Sequence, residues 1–193
     1  MPTDDPQRSS LSLGAAAVVP APAVEQARRP VRHFGHLGEE RLAELFVQPP
    51  RPLRELTAPH QHAAAMGAVL YTPASRTGVA DRFVGGGWRG LTAMAFCLED
   101  AIADADLGAA EEQTRLLLER VADATDRAGS RAHQPYLLVR VRTPDHLERL
   151  LAEWGPLADG IDGILLAKIG AERMAEYLPI VRSAQTGRDR PLW

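Results

Sequence analysis

Cysteine is almost absent from the 193 residues: Cys97 stands alone, which excludes an internal disulfide framework and any multi-cysteine zinc site. That usage agrees with a reducing cytosol, and a cytoplasmic location is the expectation. Lysine is equally scarce, since of 22 basic residues 21 are Arg and only Lys168 is Lys. A positive excess is also missing, because 25 acidic residues outweigh the basic ones and leave a formal charge of −3. Nothing is therefore available to neutralise a phosphate backbone or an anionic bilayer, and neither nucleic acid nor membrane is expected as a partner. No apolar run approaches the roughly 20 residues of a membrane span. The stretch from Leu11 to Ala23 is apolar, but Asp4 and Asp5 precede it where a signal peptide carries positive charge, and prolines interrupt it. What the chain does have is 45% hydrophobic and 24% charged residues, the composition of a globular domain with a sizeable core.

Residues 1–31 are rich in Pro, Ala and Ser without a sustained period and read as a flexible leader. Residues 32–67 form a short helical segment, in which Leu42, Leu45 and Phe46 have helical spacing before Pro49, Pro50 and Pro52 stop it. From residue 68 a repeating alternation begins. Apolar runs at Ala68–Thr72, Ala93–Leu98, Tyr136–Val141 and Gly163–Ile169 read as strands. The first is followed by a short helix near Thr77–Phe83 and a glycine cluster, the second by a long helix in which Leu117, Val121 and Ala124 share a face. Thr143-Pro144 supplies an N-cap and a proline at the first helical position, and Leu147, Leu150, Leu151 and Trp154 then follow at i, i+3, i+4 and i+7. Met174, Tyr177, Leu178 and Val181 repeat that spacing, and residues 190–193 look like the start of a fifth strand.

Continuous apolar strands separated by amphipathic helices imply a parallel sheet buried on both faces. Either a small open sheet or half of a (β/α)8 barrel satisfies the pattern, since a complete barrel takes about 250 residues. In both, ligands sit at the carboxyl ends of the strands. Polar residues stand at each of those ends: Arg76 after the first, Glu99 and Asp100 after the second, Arg140 and Arg142 at the third, and Lys168 at the fourth. Two carboxylates facing several cations make a reasonable mouth for a small anionic substrate. Arg140 and Arg142 share strand parity, and Arg140 is the one expected to point inward. Lys168 is the most suggestive, because a lone lysine at an apolar strand end must place its charge somewhere polar.

Other features carry less. Gly85, Gly87 and Gly90 fit a G-x-G-x-x-G spacing but precede a strand, so the pyrophosphate-binding turn has no basis there. His33 with His36, and His60 with His62, lack the partners of a metal site. Cys97 reads as a small core residue, and Asp100, Asp104 and Asp106 lack the spacing of a calcium loop.

The ordered set LYTPASR at 70–76, AFCLEDAIADADLGAAEEQTR at 95–115, VRVR at 139–142 and ILLAKI at 164–169 resembles the HpcH/HpaI aldolase and citrate lyase beta subunit superfamily. With HFGHLGEERLAELFVQPP at 33–50, it is more specifically similar to the TIM-barrel carbon–carbon bond lyases linked to ATP-grasp and tellurium-resistance gene clusters. The resemblance implies a (β/α)8 TIM barrel, of which residues 68–193 are the first four βα units and the start of strand five. It also implies a Mg²⁺-dependent lyase or aldolase acting on a keto acid or a CoA-thioester-like carboxylate through an enolate. Carried over, Arg76 and Arg140 bind the substrate's carboxylate or acyl-carrier phosphate. Glu99 and Asp100 orient metal-bound water or move a proton, and Lys168 adds positive charge. Arg142 departs from the small polar residue that the family's R-V motif leads to.

A larger departure concerns the metal. In the family the two principal acidic ligands come from the fifth and sixth strands, so the sequence offers no residue for them, and the 193 residues are expected to be inactive as a fragment. Open sheet edges also make a homo-oligomer the expectation. Two other readings remain open: a non-catalytic truncated remnant acting through dimerisation or a partner, and an open-sheet module that binds anions or nucleotides.

Overall fold

The structure is a computed structural model and describes residues 29–193, so nearly all of the leader lies outside the described residues. Helix α1 (Glu39–Leu45) starts with two glutamates in its first turn and ends at Phe46, ahead of the prolines. A 3₁₀ turn at Leu53–Glu55 follows, then helix α2 (Pro59–Met66), which the sequence pattern does not announce. Its alanine-rich run has no apolar face to read. What starts it is chemical: Pro59 fits the first helical turn, and the Gln61 side chain accepts from the Thr57 and Ala58 N–H groups at 3.3 and 3.2 Å.

Four βα units come next. They are β1 (Val69–Pro73) with α3 (Val79–Val84), β2 (Ala93–Cys97) with α4 (Leu107–Ala128), β3 (Tyr136–Val141) with α5 (Pro144–Trp154), and β4 (Gly163–Leu166) with α6 (Ala171–Gln185). The Thr143 cap forms as expected, its hydroxyl accepting from His146 N–H at 3.1 Å. Strand β4 stops short of the apolar run that the sequence shows, because Lys168 turns into the left-handed region at φ 53°. A non-glycine residue reaches that region only at a steric cost.

All pairings are parallel, and the strands lie in the order β1-β2-β3-β4. This order decides between the two architectures. A doubly wound sheet reverses its strand order at a switch point, whereas a barrel adds each strand beside the last. The addition continues past β4: Trp193 N–H donates to Asp162 O at 2.9 Å, and Ile164 N–H donates to Trp193 O at 2.6 Å, the parallel start of a fifth strand. Gly163 allows that approach, since a Cβ there would stand 2.9 Å from Trp193 O and 2.7 Å from Leu138 Cδ2.

The two sheet faces divide by parity. Met94, Phe96, Leu98, Leu137, Val139 and Val141 are buried in one cluster with the helix residues Leu117, Leu118, Val121, Leu147, Leu150 and Tyr177. Full burial of one such side chain is worth about 1.5–3 kcal/mol, so this layer is the main stabilising core. In register on the other parity, Ala93 and Tyr136 pack with Leu53, and with Ala65 and Met66 of α2, over the amino ends of the strands.

Beneath that layer sits a buried charge hub that the sequence reading did not single out. Asp162, 3% exposed, takes Arg54 Nη1 and Nη2 at 2.5 and 3.0 Å, Arg131 Nη2 at 3.0 Å and Arg190 Nη1 at 2.9 Å. It also accepts from the Leu137 backbone N–H at 2.8 Å. Burial alone would raise its carboxyl, but the charges of Arg131 and Arg54 and these hydrogen bonds hold it far below the usual carboxylate range. One side chain thus joins the 3₁₀ turn, the α4–β3 loop, β3 itself and the segment leading into strand five.

Candidate functional site

The carboxyl ends of β2, β3 and β4 bring four of the sequence-selected residues into contact. Arg140 pairs in register with Cys97 on one side and Leu165 on the other, so its side chain rises on the parity of the inner face, as expected. Glu99 and Asp100 follow two and three residues after β2. Arg140 Nη2 lies 2.5 Å from Glu99 Oε2 and 3.2 Å from Asp100 Oδ2. Lys168 Nζ lies 3.0 Å from Glu99 Oε1 and 2.8 Å from Asp100 Oδ1. Each cation thus touches both carboxylates, and the formal charges balance.

Exposure separates the four. Glu99 is 11% exposed, while Asp100 and Lys168, at 54% and 66%, face the solvent. The Arg140–Glu99 contact is close but off the line of a hydrogen bond, which leaves buried Glu99 Oε2 without an aligned donor. A buried acceptor in that state is costly unless something else donates to it. The Lys168 hydrogen bond, with smaller contributions from Glu99 and Arg140, holds Asp100 below its ordinary value, and the same contact to Asp100, then Glu99, raises Lys168. Both groups are fixed in their charged forms at neutral pH. Lys168 reaches them from its left-handed backbone, and such strain persists where the surroundings over-determine it, commonly at functional sites.

Arg142 does not join the cluster. Its guanidinium turns to the loop after β2, where Nε donates to Leu98 O at 2.8 Å, Nη2 donates to Ile102 O at 2.6 Å, and Nη1 pairs with Asp104. Glu99, Asp100, Ile102, Asp104 and Arg142 line an open depression of about 280 Å³. Arg76 stands after β1 with an exposed side chain and makes none of the cluster's ion pairs. Sequence reasoning placed Arg142 at the mouth but not its work on loop carbonyls, which no residue pattern displays.

The remaining candidates settle into structural places. Gly85, Gly87 and Gly90 lie between α3 and β2, not between a strand and the helix after it. Cys97 is buried in β2. His33 Nε2 bonds Ala65 O at 2.8 Å, and His62 Nδ1 bonds the Tyr136 hydroxyl at 2.6 Å, itself a donor to Leu53 O. His146 is likewise buried: its Nδ1 accepts from Arg142 N–H, which places the proton on Nε2, 3.0 Å from Glu111 Oε1.

Burial is the largest influence on both His62 and His146, and it lowers each below 6.5. Their folded values lie under the unfolded one, so the unfolded chain binds more protons as pH falls through that range. The stability they contribute is complete above about pH 6.5 and is lost below it. A urea midpoint that declines from about pH 7.5 to pH 5.5 is the expected result, and a level profile would show these histidines to be uncoupled from folding.

A model of the C–C bond lyases of the TIM-barrel fold matches residues 60–193, which takes in every element from α2 to the start of strand five. The chain belongs to this family. No curated protein matches it. Membership of the C–C bond lyases agrees with the sequential strand order, and TIM-barrel enzymes carry their chemistry at the carboxyl ends of the strands. Among the described residues no helix is long and apolar enough to cross a membrane.

Proposed function

We propose that the chain supplies the substrate-binding wall of a carbon–carbon bond lyase site, acting on a small keto acid or CoA-thioester-like carboxylate through an enolate. The observation that carries this reading is the convergence of Glu99, Asp100, Arg140 and Lys168 from three strand ends within 2.5–3.2 Å. The unliganded mouth is neutral, so an anionic substrate binds by exchange. Its carboxylate takes Lys168 from Asp100, the two solvent-facing members, and Asp100 is then free to act as a base. In the cleavage direction Asp100 accepts the proton of the substrate's hydroxyl. As that oxygen becomes a carbonyl, the electrons of the breaking C–C bond pass to the carboxylate-bearing fragment as an enolate. Arg140 and Lys168 stabilise the oxyanion, and Asp100 returns the proton to carbon. Fixed donors aimed at developing charge are the largest single source of rate in such sites. Glu99 Oε2, buried without an aligned donor, offers the acceptor for a second substrate hydroxyl.

Mg²⁺, which the family resemblance implies, does not find its site in these residues alone. Among the described residues no three His, Cys, Asp or Glu side chains converge as ligands. Glu99 and Asp100 are already matched by two cations, whereas Mg²⁺ requires near-ideal octahedral oxygen geometry. No step above runs through the metal, and its ligands remain those that the resemblance places on strands five and six.

The test is a C–C cleavage assay of the full-length protein on keto acids and acyl-CoA thioesters, with Glu99→Gln as the variant. The neutral amide should lower kcat/KM by about 10²-fold, the effect of removing one positioned polar group. Turnover indifferent to Glu99→Gln would move the chemistry away from this mouth. Saturable binding of phosphate ligands without any cleavage would favour the anion-binding reading instead.

A further inference from the structure

We infer that Arg142 is a positioning residue that sets the place of Glu99 and Asp100 by clamping both ends of the loop that carries them. The inference rests on the mouth being the reactive site, yet its geometry stands by itself. The loop leaves β2 at Leu98 and turns back at Ile102, whose N–H donates to Glu99 O at 3.0 Å. Arg142 holds the carbonyls at those two positions, Leu98 O through Nε at 2.8 Å and Ile102 O through Nη2 at 2.6 Å. Glu99 and Asp100 lie between the two points, so one planar guanidinium fixes the span over which their side chains emerge.

The clamp is itself anchored. The Arg142 N–H donates to His146 Nδ1 at 3.3 Å, at the start of α5, and the Arg142 side chain is mostly buried. Lysine would not replace it: a guanidinium presents five donors in a fixed fork, while an ammonium is a point charge on a flexible stem. The third contact, to Asp104, is of a different kind, because that carboxylate is 96% exposed and such pairs contribute little. The positioning therefore lies in the two carbonyl contacts.

The scarcity of lysine gives a readout that needs no turnover. Apart from the chain's amino terminus, Lys168 is the only amine, and its Nζ is held by the two carboxylates that the loop presents. Displacing the loop frees the amine. The experiment is acylation of the chain by an N-hydroxysuccinimide ester near pH 8, with peptide mapping to separate Lys168 from the terminus and, in Arg142→Lys, from the introduced amine. Arg142→Ala and Arg142→Lys should each speed Lys168 acylation about 3–10-fold relative to wild type, while Asp104→Asn leaves it within twofold. Millimolar methylguanidine should slow it again in the alanine variant.

Thermal unfolding of each variant accompanies the labelling, and Arg142→Gln, which can still reach one carbonyl, replaces the alanine variant if that fails to unfold cooperatively. Labelling within twofold of wild type in cooperatively folded Arg142 variants would overturn the clamp. So would equal acceleration by Asp104→Asn. Either result is independent of the lyase reading, which fails separately if Glu99→Gln leaves cleavage intact. If both hold, Arg142→Ala lowers kcat by about 10–10²-fold with KM changed much less, the signature of misplaced groups.

Discussion

Asp162→Asn is expected to destabilise the chain by about 3–5 kcal/mol, enough to leave much of it unfolded, because the change strips the buried carboxylate that Arg54, Arg131 and Arg190 share. Arg131 and Arg54 approach that carboxylate at 2.5–3.3 Å, and Arg190 adds a third positive charge at 2.9 Å. Burial already pulls Arg131 down to about 9, so the hub tolerates its positive charge only while the carboxylate remains. The amide keeps the shape and one acceptor but not the charge, which isolates electrostatics from packing. Urea denaturation followed by circular dichroism measures the loss, and a cost below about 1 kcal/mol would mean that solvent, not Asp162, satisfies those arginines. The same argument fixes the acid limb. Asp162 has a folded value far below its unfolded one, so its stabilisation is present above about pH 4 and fades as pH falls through the folded value.

Arg140→Ala carries the largest expected effect on chemistry, a loss of about 10²–10³ in kcat for the full-length protein. Two consequences combine. On the proposed mechanism an oxyanion donor disappears, and among the described residues nearly buried Glu99 keeps only Lys168 as its cationic partner, at 3.0 Å. Stability should change far less, because Arg140 lies at the wet end of β3 and not in the helix-facing core. Steady-state kinetics beside a denaturation curve separate the two. Arg140→Ala with wild-type kcat would remove Arg140 from the mechanism, whereas equal collapse of stability and rate would recast it as a structural residue. Arg140→Lys should recover only part of the rate, since an ammonium is a compact point charge on a flexible stem and lacks the planar, fixed donors of the guanidinium.

The strands were legible because each is a continuous apolar run, and the helix after β3 because its cap, proline and four apolar positions agree with one another. Charged residues at strand ends were legible for a topological reason: parallel strands deliver their carboxyl ends to one side, so Glu99, Asp100, Arg140 and Lys168 had to be near neighbours. Their pairing was not, and neither was the reach of Arg76 or Arg142, since side-chain direction beyond a strand end depends on loop backbone. Helix α2 was invisible because alanine has no face, and β4 was read too long because apolar character at Ala167 and Ile169 says nothing of the left-handed turn between them. The hub was least visible of all. Its members at 54, 131, 162 and 190 come from four segments, and only the assembled sheet puts them side by side.

Asp162 and Lys168 flank strand β4, six residues apart, and that spacing has an electrical meaning. At about 3.3 Å per residue over its extended part the separation is roughly 15–20 Å, where two unit charges at an effective dielectric constant near 20 exchange about 1 kcal/mol before salt reduces it further. Distance, and not the apolar interior, thus separates the two sets of charges. Charges at the mouth can be exchanged or titrated with little load on the hub that holds the strands together, so under the proposed function substrate range is free to drift while the scaffold stays intact.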